Sequence, residues 1–409
     1  MKSDLDQLMH DHDLDAILIT GPAQHNPPMG YLTGTIHMTG GDLIKKRDAD
    51  PILFYNPMER DEAAKSGFKT KNLADYRFDE LLKVTNGNIL HATILRYQKM
   101  MTDYDLTSGK IGVYGKMDAG SSYAIFSGLK DKLPNLEIIG QLGDSLLLQA
   151  MATKDSEEVE RIRAMGAITT SVVGKVAEFL TSQRSKNGVL VNSNGEPVLI
   201  GEVKRRINLW LAESGVENPE GTIFAIGHDA GVPHSSGNLK DLLSLGQTII
   251  FDIFPAEAGG GYFYDLTRTW CLGYAPDEVL SLYEDVYSVY QQIINEIEVN
   301  TFCYKYQDRT CELFEEQGHQ TIKSNPRTQE GYVHSLGHGV GLYIHEYPRF
   351  SSNVKEDRLT PGAVVTIEPG LYYPERGMGV RLEDTVWVRP DGEIEILADF
   401  PLDLVLPVK

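Results

Sequence analysis

Four acidic residues lie inside apolar, strand-like segments in the C-terminal half of this chain. Asp252, Asp265, Glu368 and Glu383 occur in the runs FDIFP, GYFYDLTRTW, TIEPGLYY and GVRLEDTVWV, and His338 occurs in HSLGHGVGLYIHE. An ionised carboxylate among apolar residues is costly unless it is paired or neutralised. Two divalent cations would supply four positive charges against these four negative charges. The pattern therefore favours a two-metal hydrolytic centre.

Length and composition limit the class of protein. The 409 residues predict two domains, and the apolar content of 41% is typical of a globular protein with a substantial core. The net charge of −20 argues against a nucleic-acid or anionic-membrane partner, because both need a positive surface. The acidic N-terminus has no apolar core, and no apolar run reaches the roughly 20 residues that a membrane span needs. We therefore expect a cytoplasmic protein without a membrane or nucleic-acid partner.

The cysteine pattern agrees with this location. Cys271, Cys303 and Cys311 are odd in number and lack a CxxC spacing, which predicts reduced thiols rather than disulfides. Cys303 and Cys311 could form a metal pair, but their spacing matches no zinc pattern. We expect buried, small apolar residues at all three positions.

The first third of the chain alternates short apolar runs with helical patterns. Ser3 is a candidate cap for a first helix, and MERDEAAKSG predicts another helix over 58–67. Short apolar runs predict four strands: 16–20, 51–55, 111–114 and 136–140. This alternation predicts an α/β domain with a mixed sheet over residues 1–150.

The second part, residues 151–409, combines long helical patterns with strand-rich segments. Helical periodicity covers four segments: 157–180, 202–214, 276–300 and 309–318. QTIIFDIF and GYFYDLTRTWCL are strand-like and joined by PAEAGGG, which predicts a β-hairpin. The segment 182–197 is rich in turn-forming residues and is predicted to be an exposed loop. The whole predicts an α+β domain that carries the candidate ligands on its strands.

The predicted hairpin brings two of the acids together. Asp252 and Asp265 flank its turn, so pairing of the arms would direct both carboxylates to one face. Thr267 shares the face of Asp265 and is a candidate donor to a ligand carboxylate. By the same alternation, Arg381 shares the face of Glu383. For each acid alone a solvated surface charge is the simpler interpretation, and it is the set in strand contexts that favours a metal site.

Four histidines are candidates for binding or catalysis. His334 and His338 are four residues apart, but an HxxxH pair without the glutamate of a zincin helix is a weak signal. The glycines around them argue against a helix. His345 follows in the same segment, and His234 lies in the turn-rich VPHSSGN. A lone loop histidine is more often a solvated residue.

Taken in order, these residues resemble the pita-bread metallopeptidase family, which includes aminopeptidase P, prolidase, methionine aminopeptidase and the metal-free creatinase. The segments that carry the resemblance are PHSSGN, FDIFPAEAGGGYFYDLTRT, HSLGHGVGLYIHE, TIEPGLYY and VRLEDTV. They span roughly residues 155–409. The first 150 residues, with YLTG at 31–34, resemble the smaller creatinase-type N-terminal domain. The resemblance implies a curved antiparallel sheet covered by helices, preceded by that α/β domain.

The resemblance also implies the metal centre. Two divalent ions per subunit would be held by five residues: Asp252, Asp265, His338, Glu368 and Glu383. Asp265 and Glu383 would bridge the ions. Manganese is favoured, and cobalt or zinc is an alternative, because carboxylates with one imidazole suit all three metals.

Further roles follow from the same resemblance. Glu368 would act as general base, and His234 and His345 would steady the tetrahedral intermediate. His334 and Arg381 would bind substrate. For Arg381, a structural ion pair is an equally good interpretation.

The implied activity is dinuclear, metal-dependent hydrolysis of Xaa-Pro bonds at peptide N-termini by an ion-activated hydroxide, of the prolidase or aminopeptidase P type, in a homodimer. The alternatives are a metal-dependent lyase or creatinase-like C–N hydrolase on the same fold, or a non-catalytic binding member. Intact ligands disfavour a metal-free or non-catalytic protein. The hairpin after Asp252 is about two residues longer than is common in the family, so the preference for proline stays open.

Overall fold

The computed structural model describes residues 4–143 and 145–409. It divides into two compact units. Unit 1 comprises Met1–Met151 with Gly259–Gly261, and unit 2 comprises Ala152–Ala258 with Tyr262–Lys409. Within the described parts of the chain, every helix is too short or too polar to cross a bilayer.

Unit 1 is built on a mixed sheet. Its strands are β1 Ala16–Gly21, β2 Gly41–Lys46, β3 Ile52–Tyr55, β4 Lys69–Asn72, β5 Gly109–Gly115 and β6 Leu136–Ile139. Its helices are α1 Leu5–Asp11, α2 Pro27–Thr33, α3 Arg60–Ala64, α4 Phe78–Val84, α5 Ile89–Asp103, α6 Ala119–Lys132 and α7 Leu146–Met151. The strand order is β4-β3-β2-β1-β5-β6, with β2 antiparallel to both of its neighbours and the other pairs parallel. The predicted mixed sheet is confirmed.

The sequence pattern predicts strand β1, in the middle of the sheet, but not its neighbour β2. The run AILIT of β1 is fully buried because strands flank it on both sides and helices cover the sheet. Strand β2 was missed because GDLIKK carries three charged residues. Lys45 is nevertheless buried in this strand, where its ammonium group pairs with Asp6. The predicted helix cap Ser3 lies outside the described residues.

Unit 2 combines four helices with several sheets among its described residues. The helices are α8 Ser156–Ser182, α9 Ile200–Glu213, α10 Asp277–Glu296 and α11 Cys303–Glu316. The strands are β7 Arg184–Lys186, β8 Val189–Val191, β9 Val216–Glu217, β10 Thr222–Ile226, β11 Thr248–Ile253, β12 Ala256–Glu257, β13 Leu266–Leu272, β14 His338–Gly339, β15 Glu346–Arg349, β16 Val364–Ile367, β17 Gly370–Tyr373, β18 Met378–Arg381, β19 Asp384–Val388, β20 Ile394–Ile396 and β21 Val405–Leu406. Short 3₁₀ turns occur in both units: Pro57–Glu59, Leu73–Tyr76, Asp229–Gly231 and Pro374–Arg376.

Two sheets of unit 2 carry most of its strands. One has the order β10-β11-β13-β21 and the other β15-β14-β16-β19-β20, with two-stranded pairs β7-β8, β9-β12 and β17-β18 beside them. Helices α10 and α11 bury their apolar faces in a core shared with β16, β18 and β19. The three cysteines are free and buried, as predicted. The predicted α+β class is confirmed.

The predicted loop at 182–197 is wrong in part. Residues 184–191 form the antiparallel hairpin β7-β8, in which Lys186 pairs with Val189. The two turn residues, Asn187 and Gly188, have φ angles of 51° and 77°. An Asn-Gly turn with both φ angles positive matches the right-handed twist of a hairpin. The Asn-Gly pair was the signal in the sequence that the interpretation overlooked.

Candidate metal centre

The hairpin β11-β13 orients two of the acids. Its antiparallel register sets Asp252 opposite Thr267, so the two side chains lie on the same face of the sheet. Asp265 precedes Thr267 by two residues and shares that face by alternation. Phe251 points to the opposite face, where its ring centroid lies 5.5 Å from that of Trp270. The apolar residues of FDIF thus anchor the strand, and its aspartate faces the site.

The two glutamates lie between strands rather than within them. Glu368 connects β16 to β17, and its backbone N–H donates to the carbonyl of Leu336 at 2.8 Å. Glu383 connects β18 to β19, and its N–H donates to the carbonyl of Thr267 at 3.1 Å. This corrects the prediction that the ligands lie on strands, and Asp265 likewise lies just before β13. Pro369 follows Glu368 and lacks an N–H, so a regular ladder cannot continue there.

His338 directs one ring nitrogen towards the acids. Its Nδ1 lies 3.1 Å from the carbonyl oxygen of Gly339, and because a carbonyl only accepts, Nδ1 carries the proton. Nε2 then has a free lone pair and lies 3.3 Å from Oε1 of Glu368 and 3.7 Å from Oδ2 of Asp265. Burial, with a smaller contribution from His345, lowers the pKa of His338 to about 3. The imidazole is therefore neutral at physiological pH, as a metal ligand must be.

The glycines around His338 allow this geometry. A Cβ on Gly337 would lie 2.1 Å from the carbonyl oxygen of Thr366, and a Cβ on Gly339 equally close to that of Tyr347. Only glycine permits such an approach of two backbones. The segment forms an extended strand, β14, and a loop. The prediction that it is not a helix is confirmed.

The acids leave three oxygens without a partner. Asp265, His338 and Glu383 each offer a ligand atom, and these atoms lie within 4.8 Å of one another. Oδ1 of Asp252, Oδ1 of Asp265 and Oε1 of Glu383 are buried and accept no hydrogen bond from the described residues. A buried oxygen without a donor is costly, and each oxygen here belongs to a group that binds cations well. The donor set therefore fits divalent metal ions.

The pKa values reflect the crowding of like charges. Burial raises the pKa of Asp265 well above its usual range, and the charges of Glu383, Asp252 and Glu368 raise it further. Burial and the charges of Glu368 and Asp252 do the same for Glu383. For Glu368 burial raises the pKa to about 8, although Arg381 opposes the shift. Without cations Glu368 would retain a proton near neutral pH, and a bound cation would displace it.

Arg381 pairs with one acid of the cluster. It is 3% exposed, and its Nη2 donates to Oδ2 of Asp252 at 2.5 Å. Its other donors reach the hydroxyl of Tyr372 at 2.7 Å, the carbonyl of Pro233 at 3.2 Å and Oγ1 of Thr267 at 3.3 Å. The ion pair considered as one interpretation is thus present. One guanidinium offsets only one of four carboxylates, which leaves most of the charge for metal ions.

Thr267 is also bonded as the sequence suggested. Its hydroxyl donates to Oε2 of Glu383 at 2.6 Å and accepts from Nε of Arg381. The predicted contact from Thr267 to an acid of the cluster is confirmed. It fixes the orientation of the Glu383 carboxyl group and leaves the second oxygen free to bind.

His334 and Tyr372 form a chain of hydrogen bonds beside the acids. Nδ1 of His334 lies 2.7 Å from the carbonyl of Ser335, so Nε2 accepts from the hydroxyl of Tyr372 at 2.9 Å. That hydroxyl in turn accepts from Arg381. Burial and the charge of Arg381 lower the pKa of His334 to about 3. His334 is therefore neutral, and its ring position is fixed.

His345 and His234 are more exposed than the acids. The ring centroid of His345 lies 4.3 Å from that of His338, edge to face. His234 is exposed, and it lies close enough to His345 to add to the effect of burial, which lowers the pKa of His345. All four predicted histidines therefore lie around the acid cluster. Their predicted roles stay predictions.

The sequence interpretation missed two neighbours of the site. The hydroxyl of Thr366 donates to Oε1 of Glu368 at 3.3 Å and accepts from the N–H of His338 at 3.1 Å. The hydroxyl of Tyr372 joins Arg381 to His334. Thr366 precedes Glu368 by two residues, and this spacing was the available signal for Thr366. No local pattern marks Tyr372, because the chain leaves one sheet for another at Pro369.

The fold and the cluster of acids and histidines define a metal-dependent hydrolytic enzyme. The family model described as Metallopeptidase family M24 matches residues 160–390, and the one described as Creatinase/Prolidase N-terminal domain matches residues 2–144. The chain belongs to metallopeptidase family M24 and is a hydrolytic peptidase. The predicted family is confirmed, and membership implies divalent metal ions.

Individual relatives agree over nearly the whole chain. A Xaa-Pro dipeptidase of Pyrococcus furiosus is 26% identical over 396 residues, which is 96% of this chain and 97% of that protein. A Xaa-Pro dipeptidase of Pyrococcus horikoshii is 24% identical over 389 residues, covering 94% and 93% of the two chains.

Solved structures confirm the predicted pita-bread fold. A Xaa-Pro dipeptidase from Bacillus anthracis matches with a TM-score of 0.75 at 22% identity, over 98% of this chain and 97% of the other. An X-Pro aminopeptidase from Thermotoga maritima matches with a TM-score of 0.72 at 21% identity, over 96% and 97%. The two similar scores mean that the fold does not separate dipeptidases from aminopeptidases.

Proposed function

We propose that this protein is a dinuclear metal-dependent exopeptidase that hydrolyses Xaa-Pro bonds at peptide N-termini. The observation that carries the proposal is the set of three buried, unpartnered oxygens on Asp252, Asp265 and Glu383. The neutral Nε2 of His338 and the carboxyl of Glu368 lie beside them. The preference for proline is supported by the names of the relatives, which are Xaa-Pro dipeptidases.

The five predicted ligands, Asp252, Asp265, His338, Glu368 and Glu383, would hold two divalent ions. Carboxylate and imidazole donors suit manganese, and also cobalt or zinc. When bound, a pair of divalent ions supplies an activated water and a Lewis acid for the scissile carbonyl. Hydrogen bonds from Thr267 and Arg381 orient the carboxyls of Glu383 and Asp252 for this task.

Glu368 is the proposed proton carrier. Its side chain is 15% exposed and lies 3.3 Å from Nε2 of His338, and burial raises its pKa to about 8 before a cation binds, which favours proton uptake. We propose that Glu368 accepts a proton from the attacking water and returns it to the leaving imino nitrogen. His345 and His234 would stabilise the developing oxyanion with their N–H groups. Arg381 would orient Asp252, and direct binding of substrate by Arg381 or His334 stays a prediction.

The proposed metal site and all proposed catalytic residues lie within residues 151–409. We propose that this range is the catalytic domain and that residues 1–150 form a creatinase-type N-terminal domain. Manganese as the natural metal, a homodimer and a cytoplasmic location complete the proposal. The three buried, free cysteines support the location. Sedimentation measures the oligomeric state, and metal analysis of protein purified without added metal identifies the ion.

A peptide-length series tests the activity. The protein is stripped of metal with a chelator, and turnover of Xaa-Pro, Xaa-Pro-Yaa and longer peptides is measured with and without Mn²⁺. We expect turnover only with metal, and the length preference then separates a dipeptidase from an aminopeptidase. As a control, Glu330→Gln changes an exposed acid outside the cluster and should show the same metal-dependent turnover as the wild type. Undiminished activity of the stripped protein, or no turnover of any Xaa-Pro peptide with metal, would contradict the proposal.

A further inference from the structure

A buried ion pair lies behind the segment that carries His338 and His345. Nζ of Lys154 donates to Oε2 of Glu346 at 2.7 Å, and the two side chains are 2% and 0% exposed. Glu346 directly follows His345 and begins β15. The chemistry proposed above uses neither Lys154 nor Glu346.

The carboxyl group of Glu346 is enclosed by its own loop. Its Oε1 accepts the backbone N–H of Tyr343 at 3.0 Å. A Cβ on Gly341 would lie 2.2 Å from Oε2, so the loop backbone closes directly over the carboxyl group. In the ladder, Glu346 pairs with Gly339, the residue after His338. The carboxyl group thus holds the middle of the loop, at Gly341 and Tyr343, and the ladder pairs the residue after His338 with the residue after His345.

The backbone of Lys154 is held by hydrogen bonds. Its N–H donates to the carbonyl of Gly362 at 2.7 Å, and the N–H of Gly362 donates to the carbonyl of Val388 at 2.7 Å. Lys154 therefore ties the loop to the segment that leads into β16 and to the end of β19. It also directly precedes Asp155, which caps helix α8. The ammonium group thus comes from a rigid part of the unit.

A buried ion pair is weak evidence for a contribution to stability. Replacing both partners with apolar residues of similar size is often neutral or stabilising, whereas removing one partner is strongly destabilising. The retention of two charges in this position calls for another explanation. The loop between Gly339 and Glu346 contains no regular structure, and it sets the position of the His345 ring, 4.3 Å from His338.

We propose that Lys154 and Glu346 are positioning residues, which hold the loop 339–346 so that His338 faces the acids and His345 lies beside it. For catalysis, this inference rests on the proposed function. For metal binding it rests only on His338 being a ligand and does not need the proposed peptidase activity. Residues that orient metal ligands typically change metal affinity or activity about 10- to 100-fold when replaced.

The test uses the double variant K154M/E346L, which replaces the pair with apolar side chains. We expect a melting temperature near that of the wild type, Mn²⁺ affinity weaker by about 10- to 100-fold, and kcat lower by at least about 10-fold at saturating Mn²⁺. KM should change little. K154R keeps the charge pair and should retain most of the wild-type kcat. The matched control is D6L/K45M, which removes the ion pair of Lys45 in unit 1 and should leave Mn²⁺ affinity and kcat unchanged.

The outcomes separate this inference from the proposed function. Wild-type Mn²⁺ affinity and kcat in the double variant would overturn it, because the pair would then have no positioning role. A double variant that fails to fold would also overturn it, because the pair would then be required for folding itself. If the wild type hydrolyses no Xaa-Pro peptide, the proposed function fails, and the Mn²⁺ affinities of the three variants still decide the inference.

Discussion

Glu383 and Asp384 are adjacent in the sequence and equally buried, at 1% and 2% exposure, but their surroundings differ. Both oxygens of Asp384 have donors: Nη2 of Arg268 at 2.8 Å and the hydroxyl of Tyr290. Glu383 has one donor, Thr267, and its other oxygen has none among the described residues. The difference shows what distinguishes a structural acid from a ligand. Both carboxyls are buried, but only that of Glu383, which faces the other acids, has an oxygen without a donor.

Arg268 explains why the side of this segment that carries Asp384 has no free carboxylate oxygen. We call it the closed side. Its guanidinium donates five hydrogen bonds. One goes to the Asp384 carboxyl, and the other four go to the backbone carbonyls of Thr267, Glu383, Phe400 and Pro401. Every donor of the side chain is used. The Asp384 carboxyl is therefore neutralised by the protein itself. On the Glu383 side, Arg381 neutralises one carboxyl, and bound protons or cations must neutralise the rest.

The largest predicted effect separates the two adjacent acids. Glu383→Gln preserves shape but removes the ligand oxygen and its charge, and metal stabilisation of a transition state is worth several kcal/mol. We expect the kcat of Glu383→Gln to fall by about 10³-fold or more, with loss of bound metal. Steady-state kinetics and metal analysis on the same samples provide the measurement.

Asp384→Asn is the matched control for Glu383→Gln. It changes the next residue by the same chemistry, but its oxygens face Arg268 and Tyr290 rather than the metal site. We expect reduced stability with metal content retained. Equal loss of metal in both variants would mean that the two sides of this segment do not differ as described.

The second prediction concerns stability on the closed side. Arg268→Met leaves the buried Asp384 carboxyl without its cation, and breaking a buried pair costs about 3–5 kcal/mol in the free energy of unfolding. Urea unfolding of the metal-loaded protein measures this loss. The double variant R268M/D384L removes both charges and should recover much of it. A single variant as stable as the wild type would show that the pair contributes nothing to the fold.

The same comparison shows what the sequence could and could not predict. Alternation and the glycine-rich turn predicted that Asp252, Asp265 and Thr267 share a face, because hairpin pairing follows from local pattern. Alternation also predicts that Glu383 and Asp384 point to opposite sides. It does not say which side supplies Arg268, because that depends on packing of the C-terminal residues near 400.

Contacts between distant residues were beyond the sequence pattern for the same reason. Lys154 and Glu346 are 192 positions apart, and each one alone is typical of an exposed charge. The lysine of β2, Lys45, made a buried strand look exposed. Local patterns record periodicity and turn chemistry, whereas the partner of a buried charge is determined by the tertiary fold.

The smallest predicted effect is the pH dependence of the metal-free protein. Burial raises the pKa of Glu368 from 4.5 to about 8, so the folded state binds a proton more tightly than the unfolded state. This contribution to stability is complete below pH 4.5 and is lost as the pH rises through about 8. Between pH 6 and 7.5 the loss is about 1.4 kcal/mol per pH unit, or about 2 kcal/mol in all. The pKa values of Asp265 and Glu383 shift in the same direction, whereas the lowered pKa values of His334 and His338 make the opposite contribution. The share of Glu368 is therefore read from the difference between the wild type and Glu368→Gln.

Urea unfolding of chelator-treated protein at pH 6 and 7.5 measures this change in the free energy of unfolding. Glu368→Gln should remove the part of the change that comes from the Glu368 proton. With Mn²⁺ present the sign should reverse, because cations displace the protons and bind more tightly as the pH rises. The closed side should give no such reversal, because Arg268 and Tyr290 already occupy both oxygens of Asp384 and leave no free oxygen for a cation. An identical pH dependence of stability in the metal-free wild type and in metal-free Glu368→Gln would mean that Glu368 is already ionised, and the difference between the two sides would then not be one of charge.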